Sequence, residues 1–433
     1  MNMGLVLLIN SERNTRDRAE ESFLRWKPKG YSVKMISRAG RALESLNFDL
    51  PEVVIINCND PSMSFRDLVE EVKKDAWLHS FGIIGLYDSE TQDEREIAEV
   101  FGRLNLLVLL DKSRVTSHLA KSVSIILENK QLIFQRELST HLSDVSSGSF
   151  ELENDVLAVP IYAGIAVTNL VQQGSFNPEQ KYNLQLALAE LLINGIEHGN
   201  CGISYDEKNE KLSAGLSVVD IINEKCLDPG IAARRVHFEW ENRYSASSFI
   251  IRDEGEGFDV RKIRQDVDTQ DRMRPHGRGI KMAEMFSRSL EYNEKGNRVT
   301  LTVDHEKSSQ QDTPEGFARD EVIYPQPGDV VIQEGERSDS LYYISSGHFS
   351  VLHNGKKVGV LSSADVFMGE MSFLLNHRRS AGVVADDSGK LIRISRKSFV
   401  QAMKNYPHYG IFLSKLLAQK LARSNIQLTS LSS

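Results

Sequence analysis

The sequence has few of the features that mark a secreted, metal-binding or membrane protein. Its 433 residues include three cysteines, Cys58, Cys201 and Cys226, whose number and spacing fit neither a disulfide framework nor a zinc site. The first apolar run, over residues 5–9, is too short for a secretory signal. No stretch reaches the ~18 apolar residues that a membrane helix requires. We therefore expect a protein of the reducing cytoplasm without a membrane span.

An excess of positive charge is also missing. Lysine and arginine total 52 against 60 aspartate and glutamate, so the net charge is -8. This balance gives no electrostatic footprint for nucleic acid, and we expect no direct DNA binding. Hydrophobic residues make up 40% of the chain and charged residues 26%, as is ordinary for a globular protein. The length predicts about two to four domains.

Apolar runs follow three successive patterns along the chain. From residue 5 to residue 112, four short runs alternate with amphipathic segments, which predicts a doubly wound parallel sheet flanked by helices. A helix over residues 117 to about 142 and a polar hinge over residues 143–149 then leave this domain. Later, short β-type runs separated by glycine predict a β-roll, closed by a helical stretch over residues 397 to about 427. The predicted first domain covers residues 1–125, a helical linker covers residues 126–149 and the central domain covers residues 150–305. A second linker covers residues 306–316, and the C-terminal domain covers residues 317–427.

The order of elements in the first domain resembles the receiver domain of two-component response regulators. Receivers carry carboxylates after the first strand, a phosphoacceptor aspartate after the third, a hydroxyl after the fourth and a lysine after the fifth. The corresponding residues here are Asn10 and Ser11, then Asn57, Tyr87 and Lys112. A carboxamide cannot form an acyl phosphate, so the resemblance implies a degenerate receiver without phosphotransfer. A docking or dimerisation role and a fold with no signal input both stay open.

Three motifs in the central domain point to a nucleotide. One predicted helix carries Glu190, Asn194 and His198 at intervals of four residues, on a face away from its apolar stripe. A predicted strand runs into residues 253–257, where glycines permit sharp turning and close approach of a ligand. Residues 276–280 hold a second glycine pair that opens a helix, and free N–H groups at a helix start suit phosphate.

In order and spacing, these motifs resemble the ATP-binding domain shared by histidine kinases, gyrase-type ATPases and anti-sigma-factor serine kinases, the last group most closely. The resemblance covers residues 150–305 and implies an α/β two-layer sandwich that binds ATP and Mg²⁺. It makes Asn194 the magnesium ligand and Glu190 the general base, unless Glu190 only orients Asn194. It implies ATP contacts by Asn194, His198, Asp253, Gly255, Gly257, Gly277, Arg278, Gly279 and Thr300, with Arg274 as the alternative to Arg278.

The central domain departs from that family in one place. A long insertion lies between Asn200 and Val236, with a predicted helix over residues 214–225. It would cover the nucleotide or recruit a partner.

The C-terminal domain resembles the cyclic-nucleotide-binding domain, a β-roll with a phosphate-binding cassette. The resemblance rests on glycine turns at residues 327–329, 334–335 and 343–347, and on the cassette at residues 369–381. It implies that cAMP or cGMP contacts Gly369, Glu370, Arg379 and Ser380, with Glu370 at the ribose and Arg379 at the phosphate. Arg378 competes with Arg379, Met368 departs from the family order, and a purely structural roll stays open.

Together the resemblances imply a multidomain α/β and α+β signalling protein of the cytoplasm. The expected activity is phosphorylation of serine or threonine on a partner, a sigma-factor or anti-anti-sigma-type regulator, modulated by a cyclic nucleotide. One alternative is a non-catalytic, ATP-gated binding switch or scaffold. Another is a histidine kinase with His141 as phosphoacceptor. A homodimer stays open.

Overall fold

The chain is a mixed α/β protein, as the sequence predicts, with an N-terminal parallel sheet, a central antiparallel sheet and a C-terminal β-roll followed by helices. The computed structural model describes residues 4–25, 30–75, 81–102, 104–130, 146–172, 176, 178–243, 246–258, 283–305, 313–337, 339–375 and 377–418. Within these ranges, no helix is both long enough and apolar enough to cross a membrane.

The first domain is a parallel sheet with helices on both faces. Its strands are β1 (Gly4–Ile9), β2 (Tyr31–Ile36), β3 (Val53–Asn57), β4 (Gly82–Tyr87) and β5 (Leu106–Asp111), in the spatial order β2-β1-β3-β4-β5. Its helices are α1 (Arg13–Arg25), α2 (Ala39–Phe48), α3 (Phe65–Lys74), α4 (Glu94–Phe101) and α5 (Val115–Glu128). Every residue of β3 and β4 is buried, as a sheet covered on both faces requires.

The exit from the first domain differs from the predicted single helix over residues 117–142. Helix α5 ends at Glu128, where the side-chain amide of Asn129 donates to the Ile125 carbonyl oxygen over 2.8 Å. That bond satisfies one of the carbonyls left open at a helix end. Residues 131–145 lie outside the described residues, and with them His141.

The predicted polar hinge over residues 143–149 is wrong in its second half. Ser146–Leu152 form strand β6, an edge strand of the central sheet. Ser149 pairs with Glu239, and Phe150 packs its ring 5.1 Å from that of Trp240. Pairing with a distant strand therefore decides the structure of a segment whose local composition favours a turn.

The central domain is a five-stranded antiparallel sheet with helices on one face. Its further strands are β7 (Val236–Asn242), β8 (Ala246–Arg252), β9 (Ser289–Tyr292) and β10 (Arg298–Asp304), in the order β6-β7-β8-β10-β9. Its helices are α6 (Val159–Gln172) and α7 (Pro178–Asn194), and a π-helical turn over Gly195–Asn200 continues α7. Alternate residues of β7, β8 and β10 are buried beneath α6 and α7.

The insertion contains more helix than the sequence predicts. It forms α8 (Tyr205–Ser213), α9 (Val218–Lys225) and α10 (Pro229–Ala232). The helix predicted from residue 214 begins four positions later, because Gly215 has a positive φ of 88° and Ser217 caps α9. Ser217 and Asp220 form a reciprocal capping box, which fixes that start.

The first and central domains share one continuous hydrophobic core. Helix α6 lies against the edge strand β5 so closely that a Cβ on Gly164 would sit 2.3 Å from the Leu107 carbonyl oxygen. The buried Lys181 on α7 donates to the Leu104 carbonyl oxygen over 2.6 Å. The two predicted modules are therefore packed together rather than strung on a free linker.

The C-terminal domain is a β-roll of two four-stranded sheets. Its strands are β11 (Glu321–Ile323), β12 (Val330–Ile332), β13 (Ser340–Ser346), β14 (Phe349–His353), β15 (Lys356–Leu361), β16 (Phe367–Met368), β17 (Gly382–Ala385) and β18 (Lys390–Ser395), in the orders β11-β18-β13-β16 and β12-β17-β14-β15. Its helices are α11 (Glu370–Leu375), α12 (Arg396–Asn405) and α13 (residues 407–418).

The predicted closing helix is broken at Tyr406, which has the non-helical angles φ -129° and ψ 72°. Pro407 follows it, and proline disfavours helical angles in the preceding residue while fitting the first turn of a new helix. Residues 419–433 lie outside the described part of the chain.

Candidate functional site

The predicted catalytic and magnesium-binding residues lie on the last turns of α7. Asn194 is its final residue and is half-buried, while Glu190, one turn earlier, has an exposed side chain. The surrounding protein nevertheless removes enough water to raise the pKa of Glu190, Lys208 opposes this shift, and Glu197 adds to it. A carboxylate with a raised pKa accepts a proton more readily at neutral pH, as a general base requires.

His198 does not continue a regular α-helical row with these residues. The helix widens into a π turn after Asn194, where the Cys201 N–H bonds to the Ile196 carbonyl five residues back. The equal spacing of four residues assumed from the sequence therefore fails between Asn194 and His198. His198 Nδ1 lies 2.6 Å from the Ile203 carbonyl oxygen, so this ring supports the insertion. Its predicted ATP contact stays a prediction.

Asp253 lies directly beneath the π turn, at the end of β8. It is 9% exposed, and its Oδ1 accepts the Gly255 N–H over 2.9 Å. A Cβ on Gly199 would lie 2.3 Å from the Asp253 Cγ, so only glycine lets the helix end approach this carboxylate. Burial raises the pKa of Asp253. We call Asp253, Gly199 and Gly255 the Asp253 cradle.

Asn200 holds this cradle together, although no role for it is predicted from the sequence. It is fully buried, and its Oδ1 accepts the Glu254 N–H over 2.8 Å. Its amide donates to Asn154 Oδ1 over 2.9 Å, and its carbonyl accepts from Arg234 over 2.6 Å. Its place in the motif beside His198 was the only signal in the sequence.

The turn before β10 forms the other wall of the cradle. Lys295 Nζ donates to the Gly255 carbonyl oxygen over 3.0 Å, and the Asn297 amide donates to the Asp253 carbonyl oxygen over 3.1 Å. Gly257 has a positive φ of 79°, and a Cβ there would lie 2.0 Å from the Lys295 carbonyl oxygen. Lys295 and Asn297 stand on either side of Gly296, but sequence reasoning gave them no role, because their bonds join this turn to the distant residues 253–255.

The predicted contact between Thr300 and ATP stays a prediction, and the geometry of β10 weighs against it for a nucleotide held at Asp253. Val299 and Leu301 on β10 are buried in the core under α6 and α7. Side chains alternate along a strand, so Thr300 points to the opposite face of the sheet. Asp253 lies on the helix side, and Val299 is the β10 residue that faces the same way.

The predicted phosphate lid cannot be placed. Gly277, Arg278, Gly279 and the alternative Arg274 lie outside the described residues. Among the described residues, no cluster of three His, Cys, Asp or Glu side chains could hold a metal. The single amide oxygen of Asn194 still fits Mg²⁺ that also binds phosphate oxygens, because this ion usually takes few protein ligands beside a nucleotide.

The insertion is tied to the π turn by a buried ion pair. Lys208 Nζ on α8 lies 2.5 Å from Glu197 Oε2, and the Glu197 side chain is 3% exposed. The ring of Tyr205, also on α8, lies 4.5 Å from that of His198. The insertion therefore contacts the helix end that carries the cradle.

The receiver-like residues of the first domain form a closed polar cluster. The Asn57 amide donates to Asn10 Oδ1 over 2.7 Å, and Lys112 Nζ lies 2.7 Å from Glu12 Oε2. The Lys112 hydrogen bond lowers the pKa of Glu12. The lysine that receivers direct at a phosphoryl group thus neutralises a carboxylate of the same cluster. Asp60, a neighbouring carboxylate, accepts two bonds from Ser11, each of 2.5 Å.

The cassette of the C-terminal domain is organised around Arg379, which is 3% exposed. Its guanidinium donates to the Gly369 carbonyl oxygen over 2.9 Å, to Ser372 Oγ over 2.7 Å and to the Ser340 carbonyl oxygen over 2.5 Å. A planar fork of donors suits a phosphate. Ser372 lies inside the predicted cassette but was given no role there, and Ser340 lies outside the glycine motifs.

The other cassette residues surround this arginine. Glu370 is half-buried at the first position of α11, and Ser380 is exposed. Arg378 is exposed and donates to the Gly335 carbonyl oxygen over 2.7 Å, outside the Arg379 cluster. The structure therefore favours Arg379 over Arg378 as the phosphate residue. Met368 is fully buried and pairs with Tyr342, so the departure from the family order fills the core.

Two models of known families match this chain. Residues 161–303 match the histidine kinase-like ATPase domain, and residues 323–406 match the cyclic nucleotide-binding domain. The chain carries these two domains in this order. The resemblances of the central and C-terminal domains are thereby confirmed, and the receiver-like character of the first domain rests on its fold. An ATPase-like domain joined to a cyclic nucleotide-binding domain suggests a signalling protein.

Individual relatives match short parts of this chain. The potassium/sodium hyperpolarization-activated cyclic nucleotide-gated channel 2 of Mus musculus is 39% identical over 82 residues, which are 19% of this chain and 9% of the channel. The cAMP-dependent protein kinase type II regulatory subunit of Drosophila melanogaster is 38% identical over 74 residues, 17% of this chain and 19% of that subunit. The catabolite activator protein of Thermus thermophilus superposes with a TM-score of 0.25 and 24% identity, over 27% of this chain and 57% of that one. This chain spans less than a fifth of the length of these two curated relatives.

Proposed function

We propose that this protein is a signalling kinase that transfers the γ-phosphoryl group of ATP to a serine or threonine of a partner protein. A cyclic nucleotide in the C-terminal domain modulates the transfer. The observation that carries the proposal is the Asp253 cradle, which lies under the end of the helix that bears Glu190 and Asn194. The partner we propose is a sigma-factor or anti-anti-sigma-type regulator, in keeping with the resemblance of the central domain.

The central domain supplies three roles to this reaction. Asp253 Oδ1 is used by the Gly255 N–H, so Oδ2 is the acceptor for the adenine amino group. Asn194 would hold Mg²⁺, which supplies charge neutralisation at the phosphates when bound. The substrate hydroxyl attacks the γ-phosphorus, the bond to the β–γ bridging oxygen breaks, ADP leaves, and the hydroxyl proton passes to Glu190.

The C-terminal domain supplies the regulatory ligand site. In this proposal Arg379 contacts the cyclic phosphate, and Glu370, at the start of a short helix directly after Gly369, contacts the ribose hydroxyl. The cyclic nucleotide-binding family model matches residues 323–406, and the names of two relatives of this chain mention cyclic nucleotides or cAMP. We therefore propose cAMP or cGMP as the ligand, without choosing between them.

The test is phosphoryl transfer from γ-³²P-ATP by the full chain to partners captured in the presence of ATP. Wild-type protein should label serine or threonine. Glu190→Gln should lower labelling at least about a hundredfold, at the lower end of what a general base contributes, and should leave ATP affinity within about twofold. Glu239→Gln, an exposed change on β7, is the matched control. Normal ATP binding without any transfer would contradict the kinase.

A second candidate is a non-catalytic switch in which ATP occupancy alone changes partner affinity. The Lys208–Glu197 ion pair supports it, because it ties an insertion to the helix end beside the cradle. Glu190→Gln discriminates, since biological output survives this change only in a switch. The histidine kinase alternative rests on His141, outside the described residues, and would require acid-labile phosphate.

A further inference from the structure

The closing helix of the C-terminal domain is docked on the first domain. The Tyr409 hydroxyl on α13 donates to Asp75 Oδ1 over 2.5 Å, and Lys415 Nζ lies 3.3 Å from the Leu50 carbonyl oxygen. The ring of His408 meets the ring of Phe48 edge-on at 6.0 Å. These partners sit at the ends of α2 and α3, so two helix ends of the first domain receive one helix of the C-terminal domain.

That helix is connected to the cyclic-nucleotide cassette by packed side chains. Arg379 is bonded to Ser372 on α11, and the next residue, Phe373, packs its ring 5.2 Å from that of Phe399 on α12. The ring of Tyr406, where α12 ends, stacks on that of Tyr409 at 5.0 Å. A contiguous set of contacts therefore runs from the cassette to Asp75.

The first domain also contacts α7, the helix that carries Asn194, at the end of that helix remote from Asn194. Lys181 is 4% exposed and donates to the Leu104 carbonyl oxygen over 2.6 Å. Gln185, one turn later, donates to the Leu106 carbonyl oxygen over 3.4 Å. Leu106 is the first residue of β5 and Leu104 lies two residues before it, and β5 belongs to the sheet that α2 and α3 flank.

We propose that the first domain is the coupling element between the two nucleotide sites. It has no phosphoacceptor of its own, and it lies in contact with both the cassette's closing helix and α7. The proposal rests on the proposed function, because it requires that both sites bind their nucleotides.

The contacts also give the direction of the coupling. A cyclic phosphate would recruit donors of Arg379 that now hold Ser372 and Gly369, which releases α11. The movement passes through Phe373 to α13 and weakens the bond between Tyr409 and Asp75. A ligand that favours the weakened contact binds more tightly once that contact is removed, because coupling between sites is reciprocal.

The experiment measures cyclic-nucleotide affinity of the full chain, with fluorescent cAMP and cGMP analogues, in the absence and presence of saturating ATP. Asp75→Ala should bind the analogue about five- to tenfold more tightly than wild type and lose the dependence on ATP. Asp75→Asn, which keeps an acceptor for Tyr409, should restore that dependence in part. Asp67→Ala removes an exposed carboxylate from the same helix and should behave as wild type.

Lys181→Met tests the other end of the route. It should leave cyclic-nucleotide affinity without ATP unchanged, while affinity no longer responds to ATP. Hydrogen exchange gives an independent readout: the cyclic analogue should raise amide exchange at residues 47–50 and 72–75 of the wild type.

The outcomes separate the two proposals. If wild type couples the two ligands and Asp75→Ala couples them equally well, the first domain is not the coupling element. Binding of both ligands with no mutual effect in wild type also overturns it. If wild type binds neither ligand, the proposed function fails, and this inference falls with it.

Discussion

The effect of Lys181 on the free energy of unfolding measures how firmly the first and central domains are packed together. The residue lies between them with 4% exposure, and burial lowers its pKa from 10.5 to about 7. The folded state therefore favours the neutral amine, whereas the unfolded chain keeps the proton up to its ordinary pKa. Between pH 7 and about pH 10.5 the unfolded state binds more protons, so the free energy of unfolding rises with pH by ~1.4 kcal/mol per unit.

Methionine at this position has similar length and no proton. At pH 7.5 the lysine must lose its proton when the chain folds, which costs ~4 kcal/mol. Methionine avoids this cost but loses the bond to the Leu104 carbonyl, which costs ~1–3 kcal/mol. Lys181→Met should therefore be the more stable protein at pH 7.5. Its advantage should shrink by ~1.4 kcal/mol with each pH unit up to about pH 9.5.

Urea unfolding followed by circular dichroism at pH 7.5, 8.5 and 9.5 measures this difference. A difference between proteins is required, because burial also raises the pKa of Cys58 and of Cys201 to about 12, which acts in the opposite direction in both proteins. Lys74→Met is the control, since the hydrogen bond that this exposed lysine donates to Glu71 raises its pKa. A stability gap for Lys181→Met that does not change with pH would refute the buried, largely neutral amine.

Three further predictions address the candidate sites. Gly199→Ala should abolish binding of a fluorescent ATP analogue, because its Cβ would lie 2.3 Å from Asp253 Cγ, while unchanged cyclic-nucleotide affinity would show that the protein is folded. Arg379→Lys should weaken cyclic-nucleotide binding at least about tenfold by titration, because one ammonium cannot replace a planar fork of donors; affinity within twofold of wild type would contradict the assignment. Acetyl phosphate with Mg²⁺ should leave residues 1–140 unlabelled, because Asn57 is a carboxamide, and a phosphoaspartate found there by mass spectrometry would overturn this.

Much of the fold could be predicted because buried parallel strands are continuous apolar runs. Strands β3 and β4 are buried throughout and appear in the sequence as such runs. Strand β2 is largely half-exposed at the sheet edge. Its serine and lysine interrupt the apolar run, so the same reasoning does not predict this strand. Strand β6 is polar and contains glycine, so only its pairing with β7 makes it a strand. The break before Pro407 could have been predicted, because proline disfavours helical angles in the residue before it.

The candidate site was also only partly predictable from the sequence. Asp253 and the glycines beside it could be predicted, because they stand together in one short glycine motif. Asn200 and Asn297 could not, because their bonds join segments far apart in the chain. The face of Thr300 could have been predicted from the buried alternation of β10, since its neighbours are apolar.

The contacts of α7 give the first domain a structural role that needs no phosphoacceptor. In the proposed kinase this helix carries the general base and the metal ligand, which must be held to within a fraction of an ångström for phosphoryl transfer. Here Lys181 and Gln185 anchor its first turns to carbonyls of the first domain. Asn200 and the Glu197–Lys208 pair anchor its far end to the cradle and the insertion. Removing the first domain would expose Lys181 and the apolar face of α6 to water, so the position of α7 depends on contacts with the first domain.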